Sequence, residues 1–236
     1  LKFNTMTLYF FDDESQNNYE LGSHFLSGEE LEQSDEKAFH YLKLAADAGH
    51  DQAQNEIGLM YVQGIGTKKD NRKAFYYFNK SAENENIDGA FNLATAYGTG
   101  TGVALDFERK RFWLEIASES DHAIAQYMLG IMLEYSNEIP REIIPAIYWY
   151  ERAASSNQVD AQKRLGFLYL EDPDVAQDLS LSFYWFHMAA IQGDAQAQER
   201  IGIALESGLG VPKNISEAQQ WFKMADEQDD DRQVDP

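Results

Sequence analysis

Small and aromatic side chains recur along this 236-residue chain with a period of 36 positions. Gly22, Gly58, Ala94, Gly130, Gly166 and Gly202 form one column. Tyr41, Tyr77, Trp113, Trp149, Trp185 and Trp221 form a second, and Ala45, Ser81, Ala117, Ala153, Ala189 and Ala225 a third. Two more columns, Ala38 to Ala218 and Phe25 to Leu205, keep the same spacing, so the chain is six tandem units without an insertion. In the second unit Ala53, Ile57, Gly58 and Tyr61 share one face of a helix. Gly64-Ile65-Gly66 ends it where the backbone needs positive φ. A second helix follows a capping column of Ser34, Asp70, Asp106, Glu142, Asp178 and Asn214, five of them good acceptors for free first-turn N–H groups. It buries Ala74, Tyr77, Phe78, Ser81 and Ala82 and stops at a column of Gly49, Glu85, Asp121, Asn157 and Gly193. The pattern predicts about twelve antiparallel helices over residues 17–228 and no sheet. Residues 1–16, with the apolar run Leu8-Tyr9-Phe10-Phe11, are read as a segment capping the first repeat, and 229–236 as an acidic tail.

The series Ala53, Ile57-Gly58, Tyr61, Gly64, Gly66, Asp70, Ala74, Tyr77 and Ser81-Ala82 resembles the Sel-one-like repeat (SLR) family, a relative of the tetratricopeptide repeats. Gly100-Thr101-Gly102-Val103 and Gly208-Leu209-Gly210-Val211 carry the resemblance through the inter-helix loop. Units four and five depart from it, with Ser136-Asn137-Glu138 and Asp172-Pro173-Asp174 in place of Gly-x-Gly, so these loops are expected to run differently. The resemblance implies an all-α fold: a right-handed α-α superhelix, or solenoid, of six helix-turn-helix repeats forming a single domain over 17–228, with a concave inner face. It also implies an adaptor that gathers other proteins, with a bacterial envelope or secreted location favoured over the cytoplasm. The chain begins at Leu1, and the expectation is that an upstream segment has been removed, by signal peptidase or by trimming.

Composition narrows the chemistry. Cysteine is absent, which removes disulfides, thiolate metal sites and cysteine nucleophiles. The net charge of −21 is set against phosphate-backbone binding and anionic membranes. Much of it sits at the ends, −8 over residues 1–36 and −5 over 226–236. Both a solvated surface and an acidic rim that steers a basic partner fit this distribution. No apolar run is long enough to span a bilayer.

Other motifs yield to structural readings. Gly98-Thr99-Gly100-Thr101-Gly102 follows a helix rather than a strand and recurs with the repeat, so it is read as a turn and not a phosphate loop. No two of His24, His40, His50, His122 and His187 stand three or four apart, so no metal site is assigned. Asp229-Asp230-Asp231 lacks calcium-loop spacing, and Asn214-Ile215-Ser216 is read as a cap before a sequon. No nucleophile, base and orienting group come together, so no enzyme, cofactor or small-molecule substrate is expected.

Recognition is therefore sought at positions the repeat does not need for stacking. The positions equivalent to 52, 55, 59, 62 and 63 are read as facing inward, and the columns at 55, 59 and 62 vary in chemistry from unit to unit. They place Phe91, Ile124, Tyr127, Ile131, Tyr135, Phe167 and Leu170 together as a partner-binding patch in the groove. Glu134, Glu171 and Glu199 are expected to steer a basic ligand across it. The alternative, that these columns pack against neighbouring first helices as core, stays open. The expected partner is a protein or peptide. An immunity or inhibitor protein that neutralises a basic toxin or enzyme is the alternative function.

Overall fold

The computed structural model describes residues 3–28, 31–135 and 140–232, with side chains from 14 to 227 within those spans. Among these residues there are twelve helices and no strand: α1 Phe3–Ser27, α2 Asp35–Asp47, α3 Asp51–Gln63, α4 Asn71–Glu83, α5 Ile87–Thr99, α6 Phe107–Glu119, α7 Ala123–Tyr135, α8 Ile143–Ser155, α9 Val159–Glu171, α10 Leu179–Ala190, α11 Ala195–Ser207 and α12 Ile215–Arg232. They pair in sequence as six helical hairpins, and the fold class is an all-α solenoid. The chain divides into two compact units, one ending at Ser120 and the other beginning at Asp121, with three hairpins each. Backbone residues 8–11 lie within α1, and α12 continues to Arg232; the side chains of 8–11 and residues 233–236 lie outside the described residues.

Each hairpin closes on one contact. A methyl group at Gly58 would sit 2.5 Å from Cε1 of Phe78 on the second helix, and one at Gly130 would sit 2.5 Å from Cε1 of Tyr150. Gly166 faces Phe186, Gly202 faces Phe222 and Gly22 faces Leu42 in the same way. The helices therefore approach so closely that a side chain of the second sits against the backbone of the first. In the third hairpin the same two positions are Ala94 and Leu114, both fully buried: one carbon more on one helix, a smaller side chain on the other.

This shifts the core by one residue from the Tyr/Trp column. Leu42, Leu114 and Tyr150 are fully buried, whereas Trp113, Trp149 and Trp221 are half-buried and only Tyr77 and Trp185 of that column are buried. Trp113, Trp149 and Trp221 flank the core, and Leu114, Tyr150 and Phe186, each one residue after the column, fill it.

The ends of the helices follow the capping column. Ser34, Asp70, Asp106, Asp178 and Asn214 accept first-turn N–H groups, while Glu142 makes no such bond. Asn214 thus caps α12 as expected, and its Nδ2 donates to Glu217 Oε2 at 2.9 Å. All five second-helix exits have positive φ, including Glu85 at 62°. Gly64, Gly100 and Gly208 are left-handed C-caps, but Asp172 is extended at φ −70, so the fifth loop does run differently. The fourth loop, 136–139, lies outside the described residues.

A glutamine column joins successive hairpins. Nε2 of Gln54, Gln162 and Gln198 donates to the carbonyl eight residues back, Ala46, Ala154 and Ala190, at the end of the preceding helix. Each of these carbonyls also accepts a backbone N–H, from Gly49, Asn157 and Gly193 respectively, so the glutamine supplies its second bond. The glutamine bonds are buried, so each withholds a desolvation cost that an apolar replacement would incur.

His50 caps α3: its Nδ1 accepts from Ala53 N at 3.3 Å, and its ring stacks on Tyr19 with centroids 4.4 Å apart. The cap requires neutral imidazole with the proton on Nε2, which lies 3.1 Å from Gln16 Oε1. Burial lowers the His50 pKa, and the Asp51 carboxylate offsets this only in part.

Two predictions follow from these contacts. Gly58→Ala costs about 1–3 kcal/mol in urea denaturation, and less in a Phe78→Leu background, which copies Ala94 and Leu114; equal costs in both backgrounds mean that the ring does not set the approach. For His50 the native state binds its proton less readily than the unfolded chain. Stability is therefore full above about pH 6.5 and falls as pH drops through that value toward the lowered native pKa. Urea midpoints at about pH 7.5 and 5.5 should show a smaller fall in His50→Asn, which keeps an acceptor but cannot titrate.

Candidate functional site

In the second unit one apolar stripe runs the length of α7. Ile124, Tyr127, Ile131 and Tyr135 stand at i, i+3, i+7 and i+11, which places them on one side of the helix. Ile124 is 50% exposed and Tyr135 56%, with Tyr127 and Ile131 half-buried between them. The Tyr127 ring lies 5.8 Å from that of Tyr150, which fastens it to its own hairpin. Burial raises the phenol pKa of both Tyr127 and Tyr135, so both are neutral hydroxyls at physiological pH.

Beside the stripe lies a buried ionic cluster. Glu134 has no exposed side-chain surface. It accepts from Tyr150 Oη at 2.9 Å and from Arg164 Nε at 2.9 Å, and Arg164 Nη2 completes a two-pronged pair. Arg141 approaches at 3.8 Å and also pairs with Asp172 and Asp174. The Arg164 guanidinium covers the Tyr135 ring at 4.9 Å. Burial, ahead of the Glu134 charge, drives the Tyr150 pKa strongly upward and keeps its proton on the phenol. Glu134 is thus a buried structural anion and cannot steer a ligand from the surface, unlike the exposed Glu171 and Glu199. Arg141 ties the glycine-free fifth loop to the approach to α8, the side on which Gly66, Gly102 and Gly210 press their loops against the preceding second helix.

The next hairpin arranges the same positions otherwise. Phe167 packs edge-on against Phe186 at 4.9 Å, and the Arg200 guanidinium lies 5.1 Å from the Phe167 ring. Leu170, Phe186 and Arg200 border a cavity of about 100 Å³ between α9, α10 and α11. Phe167 and Leu170 also pack on the core of the unit, so half of each serves stability.

Phe91 lies on α5 in the first unit, half-buried, and is described apart from the others. The column it shares is less tolerant of polar groups than its variability suggests. Asn55 is buried and accepts from Asn92 Nδ2 at 2.7 Å, and Lys163 pairs with Asp194 at 2.9 Å. Asn55 and Lys163 thus stand there with a partner from the next first helix or its start, whereas Glu199 of the same column is exposed. A second exposed series lies on the second helices: Tyr76 and Phe112 in one unit, Tyr148 and Tyr184 in the other, each 49–54% exposed. Each stands one residue before the Tyr/Trp column at the same 36-residue spacing, which was the signal for it.

Among the described residues no group of three or more His, Asp or Glu side chains is arranged to hold a metal ion. His50 and His122 serve as helix caps through Nδ1. Among the described residues no helix is long and apolar enough to cross a membrane.

Comparison with known proteins places this geometry. The Sel1 repeat matches at residues 18–50, 51–86, 87–122, 123–158, 159–194 and 195–230. No curated protein matches. Among solved structures, a protective antigen of uropathogenic Escherichia coli with an SLR fold is 31% identical over 91% of this chain, with TM-score 0.87. The chain spans 46% of that antigen's length. A Sel1 repeat protein from Oxalobacter formigenes is 29% identical, with TM-score 0.80, over 91% of this chain and 88% of the other. An immunity protein of Pseudomonas aeruginosa shares the fold at 16% identity and TM-score 0.54, over 92% of this chain and 82% of its own.

Removing the buried anion should be far more damaging than removing an exposed one. Glu134→Ala leaves the largely buried Arg164 without its partner and is expected to cost up to ~3–5 kcal/mol, against about 0.5 kcal/mol or less for Glu171→Ala. Similar unfolding midpoints for the two variants would show that the cluster contributes no more than a surface charge.

Proposed function

The chain belongs to the Sel1 repeat family, whose members are generally protein-interaction scaffolds, and we propose that it is a non-enzymatic adaptor binding a partner segment along the first-helix face of its second unit. One observation carries this: the α7 stripe of Ile124, Tyr127, Ile131 and Tyr135 keeps large apolar surface exposed at both ends although the hairpin core is already closed by Gly130 and Tyr150. An apolar stripe of three helical turns suits a helix or extended peptide laid across it. Phe167 and Leu170 continue this face on α9, and Phe91 offers a corresponding position in the first unit. The bacterial sources of the similar structures, one a protective antigen, support a bacterial and envelope-associated setting.

A second reading makes the bound protein a basic toxin or enzyme held inactive. The net charge of −21 supports it, since complementary charge raises the association rate.

The test uses the partner recovered on the immobilised chain. Ile124→Ala and Tyr135→Ala alter exposed positions and should leave the melting temperature nearly unchanged. Binding should weaken by ~2 kcal/mol for at least one of them. Native affinity in both variants would remove the stripe from recognition. Raising ionic strength from about 0.05 M to about 0.5 M separates the second reading, because a basic partner then loses affinity steeply.

A further inference from the structure

The repeat allows one site to be compared with itself 36 residues later. Glu134, Tyr150 and Arg164 form the buried cluster in one hairpin junction, and Leu170, Phe186 and Arg200 occupy the same three positions in the next. The arginine is kept. The carboxylate that would receive it has become Leu170, and the phenol that would share that carboxylate has become Phe186. The second cation is gone as well: Gln177 stands where Arg141 does, and its Nε2 donates to the Leu170 carbonyl at 2.7 Å.

Arg200 is accordingly an arginine held in place without its anion. Its guanidinium rests 5.1 Å from the Phe167 ring, yet its Nε is buried and has no hydrogen-bond partner among the described residues. Among those residues it forms no ion pair either. A buried N–H without a partner is costly, and most native examples are satisfied by something. The cavity of about 100 Å³ is bordered by these same three residues, at the level a glutamate side chain fills one repeat earlier. That is roughly three times the ~30 Å³ share of a water molecule, room for a carboxylate on one or two methylene groups. Its remaining wall is apolar, including Ile203, apart from Ser182, whose hydroxyl donates to the Gly166 carbonyl at 2.8 Å, and it lies beside Leu209, which is 40% exposed.

We propose that this cavity receives a glutamate side chain from the partner protein, its methylenes against Leu170 and Phe186 and its carboxylate on Arg200. The inference rests on the scaffold reading and adds to it a specificity: a partner segment with a glutamate at one fixed position. The apolar wall selects against small hydrated anions, and the single arginine selects against glutamine. On a chain of net charge −21 an unspecific acidic ligand is repelled, so only a carboxylate that reaches Arg200 gains from it.

The experiment is NMR of the full chain titrated with the blocked tripeptides acetyl-Ala-Glu-Ala-amide and acetyl-Ala-Gln-Ala-amide, with sodium propionate as the free carboxylate. The expected result is saturable shifts of the Arg200 Nε–H and the Leu170 and Ile203 methyls with the Glu peptide and none with the Gln peptide. Arg200→Gln should weaken that response about 10- to 100-fold. Leu170→Glu with Phe186→Tyr fills the cavity from within: it should abolish the response and melt above the Leu170→Gln, Phe186→Tyr variant. A response to propionate equal to that of the Glu peptide would overturn the peptide assignment. Equal responses to Glu and Gln peptides, or an unchanged response in Arg200→Gln, would overturn the carboxylate site itself. The scaffold reading is tested separately. If the α7 variants lose the partner while the Glu peptide gives no shift, this inference falls and the scaffold stands; the reverse outcome keeps the pocket and refutes the stripe.

Discussion

Close approach of two helices at a residue with no side chain is the constraint on which this fold depends. Where Gly58, Gly130, Gly166 or Gly202 meets a ring from the second helix, the ring lies against backbone, and even one added carbon would collide. The contact fixes the spacing of each hairpin, and spacing fixes which side chains are left facing outward. In the third hairpin Ala94 is matched by Leu114, an added carbon on one helix against a smaller side chain on the other, and the first hairpin pairs Gly22 with Leu42 in place of a ring. Interiors packed to crystalline density transmit such exchanges instead of absorbing them.

Between hairpins the joining elements are polar. The buried glutamines give a second bond to carbonyls at the ends of preceding helices, and helix caps satisfy the N–H groups at the starts. Regular spacing makes these bonds repeat without strain. Where the glycine loop is lost, as at Asp172-Pro173-Asp174, an ion-pair cluster centred on Arg141 and Glu134 supplies the tie. Such a cluster is stable only if every member is satisfied, which Glu134 achieves with a phenol and a two-pronged arginine. The next junction keeps Arg200 and omits the rest, and that asymmetry is what turns a structural motif into a candidate recognition site.

Much of this was legible in the sequence because periodicity is read without knowing contacts. The repeat length, helix pairs, capping column and left-handed exits all follow from residue type at fixed intervals. Residue type alone does not separate the Tyr/Trp column from the position after it: Tyr77 and Trp185 are buried but Trp149 is half-buried, because burial depends on which side chain points at Gly130, and that is Tyr150. Variability alone also misjudged Asn55 and Glu134. Both are polar and both are buried, since each finds its partner 30 or more residues away, in the next repeat. The exposed series Tyr76, Phe112, Tyr148 and Tyr184 was visible at the same period but was overshadowed by the column beside it.

The claim that recognition lies on the first helices of the second unit is tested most directly by hydrogen–deuterium exchange of the chain with and without its recovered protein partner. The account predicts slowed exchange on binding in α7 and α9, around Tyr127 to Tyr135 and Phe167 to Leu170. Protection confined to the second helices, around Tyr148 and Tyr184, would contradict it and move the binding face to the exposed aromatic series.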